Sequence, residues 1–511
     1  MSSRAAGHAT IVASCLAQLI VTVDMTVLYL AAPELTVQLG ASNMAMLWIV
    51  DVYGFTMAGL LVTFGNLGDR LGRRRMLVWG VTAFAATSVL AAYAPTAEVL
   101  IVARALMGVA GAAILPATTS LLRVMFTTQR ARTAAVGASA GVSAAGFAVG
   151  PIIGGVLLNQ FWWGSVFLIN IPIALFILIA TRFIPESRAP QGVRMDLASV
   201  LLSVVGVVAV VYTIKTAFVL GLWHLDVMTA LVVGVVALGL FARRQLRLPV
   251  PLIDLRLFHS RQFTASVGSN LIAVFTLSAF GLIISQYFQL VREWTPLNAG
   301  LAYVPGALAA VLAGGVLAAS VINRIGRGPA VALGLVLAAI GFGVLATVQT
   351  QSPYMVVVFA QVAVGAGAGL TLTVTGDTIL GTVPRDRAGA AAAISVTAYE
   401  LGGSLGIAVI GSVLSGIYRA ELLVPPGVPQ AVADQVQESF GAAVTTALPE
   451  PVATAVRTAA TEAFLGGVRT SMVVSAAVTV LLALVALGVL RGVPKVIEQE
   501  PAREPDPALG A

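Results

Sequence analysis

The sequence predicts an all-α membrane protein of fourteen transmembrane helices, built as two six-helix halves with a two-helix pair inserted between them. Three observations predict it. Of 511 residues, 58% are hydrophobic and only 10% charged, with a mean hydropathy of +0.96, whereas a soluble globular chain carries about 25% charged residues. The apolar residues fall into runs near the length of about 20 that crosses a bilayer core of about 30 Å. The arginines collect in alternate loops, as membrane topology requires.

In chain order the runs are 11–33, 46–64, 77–94, 98–122, 134–158, 165–184, 197–218, 225–241, 263–290, 299–321, 330–347, 354–380, 389–417 and 468–490. They are too long for barrel strands and lack period-two alternation. The first run is too long for a signal peptide and is interrupted by Asp24, so it reads as a retained span. With the N-terminus inside, 23 basic residues fall on the cytoplasmic side, in clusters such as Arg70/Arg73/Arg74/Arg75 and Arg243/Arg244/Arg247. Only four (Arg292, Arg419, Arg457 and Arg469) fall outside. The alternation holds with an even span count, which puts both termini in the cytoplasm of a multi-pass protein of the bacterial plasma (inner) membrane. Phe161, Trp162 and Trp163 then lie at the outer interface, where an aromatic belt belongs.

An internal repeat divides the chain. Asp69-Arg70-Leu71-Gly72-Arg73 after the second span recurs as Asn323-Arg324-Ile325-Gly326-Arg327 after the tenth, 254 residues on. The expected organisation is an N-terminal six-helix half (1–184), an inserted pair with a cytoplasmic linker (185–262), a C-terminal six-helix half (263–490) with an outer loop at 418–467, and a disordered cytoplasmic tail (491–511). Parallel repeats of this kind build transporters with a site at the midplane between the halves.

Several functions are excluded. The basic residues form no single basic domain for nucleic acid. The lone Cys15 gives no disulfide framework, and His8, His224 and His259 lie outside the deep apolar runs, leaving no metal site or cofactor. Neither lysine, Lys215 or Lys495, follows a phosphate-binding loop, so ATP drive is not expected. An intramembrane enzyme or receptor would need clustered nucleophiles, metal ligands or a soluble domain, and none is present; a non-enzymatic, monomeric carrier is expected.

Charges inside spans are the informative exceptions, since each costs about 2.5–3.5 kcal/mol at a helix centre. Asp24 lies about nine residues, roughly 13 Å of rise, from the outer end of span one. Arg104 in span four is at a similar depth, so the two can pair; a carboxylate alternating between an arginine and a proton has its pKa set by the arginine's position. Glu400 is near the middle of span thirteen, Asp51 lies shallower in span two, and Asp377 sits near the cytoplasmic end of span twelve. Lys215, near a span end, snorkels. Tyr29, Tyr53, Phe147, Phe280, Tyr287, Phe288 and Tyr399 are candidates for cation–π contact with a positively charged cargo.

Three glycine-bearing motifs complete the pattern: Gly65-Asn66-Leu67-Gly68-Asp69-Arg70-Leu71-Gly72-Arg73 between spans two and three, Arg104-Ala105-Leu106-Met107-Gly108 in span four, and Gly146-Phe147-Ala148-Val149-Gly150-Pro151-Ile152-Ile153-Gly154-Gly155 in span five. The first allows a tight turn. The last provides a small-residue groove and a proline bend.

These motifs resemble those of the major facilitator superfamily over all but the tail. Asp24-Met25-Thr26-Val27 through Ala32-Pro33, Trp48-Ile49-Val50-Asp51-Val52-Tyr53 and Ala398-Tyr399-Glu400-Leu401-Gly402 are similar to its fourteen-helix drug:proton antiporters, among them quaternary-ammonium exporters of the QacA and LfrA type. The resemblance implies a proton-coupled multidrug efflux antiporter. It would export lipophilic cations (dyes, quaternary ammonium biocides, cationic antibiotics) by alternating access, driven by the proton motive force. It implies proton coupling at Asp24, Arg104 and Glu400, and substrate binding at Asp24, Asp51, Glu400, Tyr29, Tyr53, Phe147, Tyr287 and Tyr399. Gating falls to Gly65, Asp69, Arg70, Arg73, Gly146, Gly150, Pro151 and Asp377. Span ten has no acidic residue, a departure from some dication-exporting relatives. A carrier dedicated to one metabolite or antibiotic, or an importer, shares the fold and is the alternative.

Overall fold

The computed structural model describes residues 3–126, 129–188, 196–248, 251, 253–383, 388–446, 448–490 and 493; some side chains within them, including Phe147 and Lys215, lie outside that description. The described residues are helical throughout, with no strand. The helices are α1 (Ser3–Gln38), α2 (Asn43–Leu71), α3 (Arg73–Ala92), α4 (Ala97–Met125), α5 (Gln129–Gln160), α6 (Ser165–Leu168), α7 (Asn170–Thr181), α8 (Leu197–Leu220), α9 (Leu225–Arg247), α10 (Arg261–Gln286), α11 (Pro296–Leu301), α12 (Val304–Val311), α13 (Ala318–Ile325), α14 (Arg327–Leu345), α15 (Tyr354–Gly381), α16 (Ala388–Glu421), α17 (Gln430–Glu438), α18 (Phe440–Thr445) and α19 (Val452–Val489). A 3-10 turn (Leu255–His259) and two π turns (Tyr287–Val291 and Leu312–Leu317) interrupt the series.

Eleven helical segments among the described residues are long and apolar enough to cross a membrane, and three shorter apolar segments (149–160, 165–181 and 198–214) lie where the sequence places spans five to seven. The protein is thus a multi-pass membrane protein, and eleven of the fourteen expected spans are met at full length among the described residues. The sixth run is broken at Ile169 between α6 and α7, and the tenth is split into α11, α12, a π turn and α13. The outer loop expected over 418–467 is largely helical: α16 runs on to Glu421, α17 and α18 follow, and α19 starts at Val452. The tail beyond 493 lies outside the described residues.

Helix starts are set by local chemistry. Ser42, Thr96, Ser260 and Thr295 accept from the backbone N–H three residues on, satisfying donors a helix cannot pair internally. The repeat seen in sequence has a structural counterpart. Gly72 (φ 122°) and Gly326 (φ 88°) each end one helix and open the next, and their N–H groups donate to Gly68 O and Ile322 O. Both the glycines and their acceptors are 254 positions apart. The turn is one residue long, so Gly65, Asp69 and Arg70 belong to α2 rather than to a loop.

Packing separates two groups. α1 lies on α5 and α7, and α4 on α2 and α3; α10 lies on α15 and α16, and α14 on α15 and α19. α8 and α9 pack on each other, and α8 also lies against both α2 and α16. Its Val211 shares an apolar cluster with Phe55 of α2 and Ala408 of α16. The base of the pair is fastened by Arg244, which donates to both oxygens of Asp196, and by Gln245, which donates to Ser199 Oγ at 2.7 Å. This guanidinium holds the Asp196 carboxyl down at about 2.

Across the seam between the groups, Ser285 Oγ donates to Tyr29 O (2.7 Å) and Gln289 Nε2 to Leu30 O (3.1 Å). Leu297 of α11 abuts Gly155 of α5, and Gly411 of α16 faces Leu47 of α2. These joins lie toward the face opposite the arginine-rich turns.

Candidate functional site

Span burial selects the site residues. An arginine inside an apolar helix is tolerated only with its charge and donors satisfied, and Arg104, with no exposed surface, meets that condition. Its Nη1 bonds Asp24 Oδ2 at 2.5 Å and its Nε donates to Ile49 O at 3.1 Å. The guanidinium carbon lies 4.4 Å from the centre of the Tyr53 ring and 5.9 Å from that of Phe167. α4 comes this close to α2 because of Gly108: a Cβ there would overlap Thr56 Oγ1 and Tyr53 O. Thr56 reinforces the approach by donating to Ala105 O at 3.1 Å.

Asp24 is fully engaged. Its second oxygen, Oδ1, accepts from Asn170 Nδ2 at 2.9 Å, and the same amide nitrogen donates to Ser88 Oγ at 3.1 Å. Asn170 and Ser88 are both fully buried. The pairing of Asp24 with Arg104 is the one the sequence made possible, but in this conformation the carboxylate is enclosed by α4 and α7 and is not presented to a chamber.

Glu400 is different. It is buried at 5% exposure on α16, and its Oε2 has no hydrogen-bond partner among the described residues. It lies on the opposite packing group from Asp24, yet both carboxylates and Arg104 are within electrostatic range of Tyr53. Tyr29 is likewise in range of Asp51, Arg104 and Glu400, and Tyr399 of Glu400 and Tyr29. Asp51 is 1% exposed. The structure therefore gathers Asp24, Arg104, Asp51, Glu400, Tyr29, Tyr53 and Tyr399 around the seam. α2 and α16 meet there at Gly54, where a Cβ would strike Ser404.

One expected member, Tyr287, has its described contacts elsewhere. Tyr287 donates to Gln349 O at 3.0 Å and packs beside Phe288, which stacks on Trp294 at 4.8 Å. It belongs to an aromatic group at the end of α10, with Phe288, Trp294 and Tyr354. The side chain of Phe147 lies outside the described residues.

The span-five motif has two faces. A Cβ at Gly150 would overlap Thr26 Oγ1 of α1, and one at Gly146 would meet Thr22 at 3.0 Å, so these glycines seat α5 on α1. Pro151 lies on the other side, its carbonyl against Gly300 of α11. At the arginine-rich turns, Arg73 bonds Asp69 at 2.7 Å, and Arg327 bonds Asp377 at 2.7 Å and Thr378 Oγ1 at 3.1 Å. The Glu186 carboxylate accepts from the backbone N–H groups of Arg74 (3.1 Å) and Arg75 (3.2 Å) at the start of α3. An acid at a helix N-terminus satisfies orphan donors and the macrodipole. A Cβ at Gly65 would make ordinary contact with Pro116 at 3.4 Å, so that glycine is not sterically required.

Asn170, Ser88 and Glu186 escaped the sequence reading. The signal for Asn170 was one amide inside the apolar run 165–184; Glu186 gave none, since its target is more than 100 residues away.

The family model of the Major Facilitator Superfamily matches residues 14–407. Among curated relatives, the chain is 40% identical over 474 residues to the multidrug efflux pump LfrA of Mycolicibacterium smegmatis, covering 92% of this chain and 94% of that one. It is 36% identical over 441 residues to the methyl viologen resistance protein SmvA of Salmonella typhimurium (86% and 88%). Among solved structures, a bacterial homologue of the human lysosomal transporter Spinster, in an inward-facing, unoccupied conformation, superposes with a TM-score of 0.66 at 15% identity (96% and 98%) and shares the fold. A turn repeated at a fixed interval, two helical groups meeting at a seam of buried carboxylates and a family match over most of the length lead to one conclusion: this chain belongs to the major facilitator superfamily.

Proposed function

We propose that the chain is a proton-coupled efflux antiporter for lipophilic cations, working by alternating access between its two helical groups. The proposed membrane form has fourteen spans with α8 and α9 as the inserted pair, and both termini and the arginine-rich turns in the cytoplasm. The observation that carries the reading is the unequal treatment of two buried carboxylates. Asp24 has an arginine and an amide; Glu400, across the seam, has no ion-pair partner among the described residues. A buried carboxylate without a counter-charge is unfavourable unless protonated or matched by a cation. Glu400 is therefore the proposed cation site, Asp51 is a second buried carboxylate within range of Tyr29, and the faces of Tyr29, Tyr53 and Tyr399 supply non-directional and cation–π contact. Asp24 with Arg104 is the proposed proton site. Its protonation weakens the hold of Arg104, and that change biases the seam. The efflux named for LfrA and the methyl viologen resistance named for SmvA support export over import.

The test is transport of ethidium, tetraphenylphosphonium and methyl viologen by proteoliposomes under an imposed pH gradient. Asp24→Asn is expected to lose gradient-driven uptake at least tenfold while still exchanging cation for cation. Glu400→Gln is expected to weaken cation binding itself. Gradient-driven transport that survives both substitutions overturns the proposal.

A further inference from the structure

Asn170 is a fully buried amide that touches Asp24, and its position raises a chemical question. Its Nδ2 gives one hydrogen to Asp24 Oδ1 and the other to Ser88 Oγ, while its own Oδ1 is buried with no hydrogen-bond partner among the described residues. That arrangement suits an ionised Asp24, which only accepts. Arg104 occupies Oδ2, so a proton arriving on Asp24 lands on Oδ1, the oxygen facing Asn170. The carboxylic acid then needs an acceptor where the amide presents N–H.

We infer that Asn170 serves both protonation states of Asp24, rotating its side-chain amide to donate to the carboxylate and to accept from the acid. An amide holds donor and acceptor on one planar group, so a half-turn about its last side-chain bond exchanges them. The Ser88 hydroxyl, which both donates and accepts, follows the exchange: it accepts from Nδ2 in one state and donates to Oδ1 in the other. No bond other than the transferred proton's is made or broken. The inference rests on the reading of Asp24 as the proton site and makes Asn170 a positioning residue for it.

The surroundings leave the amide as the adjustable neighbour. Around Asp24, α4 contributes Arg104, and α2 contributes Tyr53 and, within range of Tyr29, Asp51; across the seam α16 contributes Glu400. The contacts described from α5 and α10 to α1 involve Gly146, Gly150, Gly281 and Ser285. α6, α11 and α18, which also pack on α1, carry no titratable side chain.

The experiment measures protons released when tetraphenylphosphonium binds the purified full-length protein in weak buffer, as a function of pH. Asn170→Leu, alike in branching but without hydrogen bonds, should still bind the cation. Its release midpoint should rise by about one pH unit, tenfold in proton concentration, because losing an N–H donor harms the charged form more than losing an acceptor harms the neutral one. An unmoved midpoint overturns the inference. Asp24→Asn separates it from its foundation: Glu400 can release a proton of its own when the cation binds, so if that variant releases as many protons as the unaltered protein, the assignment of Asp24 fails, whatever Asn170 does. Should Asn170→Leu not fold, infrared difference spectra of the unaltered protein decide. The protonated-carboxyl band that disappears in Asp24→Asn should lie at the frequency of a hydrogen-bonded acid. A band at the free-acid frequency overturns the inference.

Discussion

Removing the Arg104 guanidinium leaves Asp24 buried without its counter-charge, a loss of about 3–5 kcal/mol for a pair so enclosed. Arg104→Ala should therefore lower the thermal midpoint of the detergent-solubilised protein sharply. Asp24→Asn added to it should recover much of the loss, because the stranded charge is gone. A double variant no more stable than Arg104→Ala would show that the guanidinium acts through Ile49 O and the Tyr53 ring instead. How far the site was legible follows from the same residues. Asp24, Arg104 and Glu400 stood out because a charge in an apolar run is rare whatever its neighbours. Asn170 did not, because an amide is a weaker exception and its value depends on which helix face it occupies. Tyr287 was a candidate for cation contact because it is an aromatic; its hydroxyl bonds Gln349 O within an aromatic group, a tertiary arrangement no local pattern reports.

At the scale of elements, the turn between α2 and α3 is the most tightly specified. Gly72 holds φ at 122°, and a Cβ there would come within 2.6 Å of the Glu186 carboxylate. Gly72→Ala should thus disturb both the turn and the cap on α3, with a larger loss of transport than Gly65→Ala, whose added methyl meets only ordinary contact. The α8–α9 pair is held differently, by an ion pair with 44% exposure on the arginine side. Solvent screens such a pair and keeps its contribution small. Its pH dependence has a definite sign. The folded Asp196 carboxyl is depressed from 3.8 to about 2, so its contribution is complete above pH 4 and is lost as the pH falls toward 2. Hydrogen exchange over 225–247 should accelerate across that window, and not in Asp196→Asn. The turn was readable because glycine and charge repeat at a fixed interval. The extension of α19 back to Val452 was not, since its first turns are of mixed polarity and become helical by packing on α18.

For the whole molecule, the joins between the two groups lie toward the face opposite the arginine turns, so the bundle is closed there. A carrier must break them once per cycle. Leu47 and Gly411 touch across that seam, and the chain has only Cys15 to replace. In a Cys15→Ser background, oxidising a Leu47→Cys/Gly411→Cys pair should halt ethidium efflux, and reduction should restore it. Efflux that continues in the oxidised protein would mean the seam does not part. The fold was legible at this scale because apolar length and arginine distribution report on lipid; which faces touch depends on side-chain shape over distances no local pattern spans.

α8 rests on Phe55 and Ala408 at once, although under the proposed alternating access those residues belong to bodies that swing apart. It can travel with only one of them, stripping a methyl-lined strip from the other. In water that exposure would be penalised, but acyl tails are as oily as the valines they replace. The lipid itself is then a working part of the stroke, and tail length and order, more than any protein contact, set how readily that flank slides.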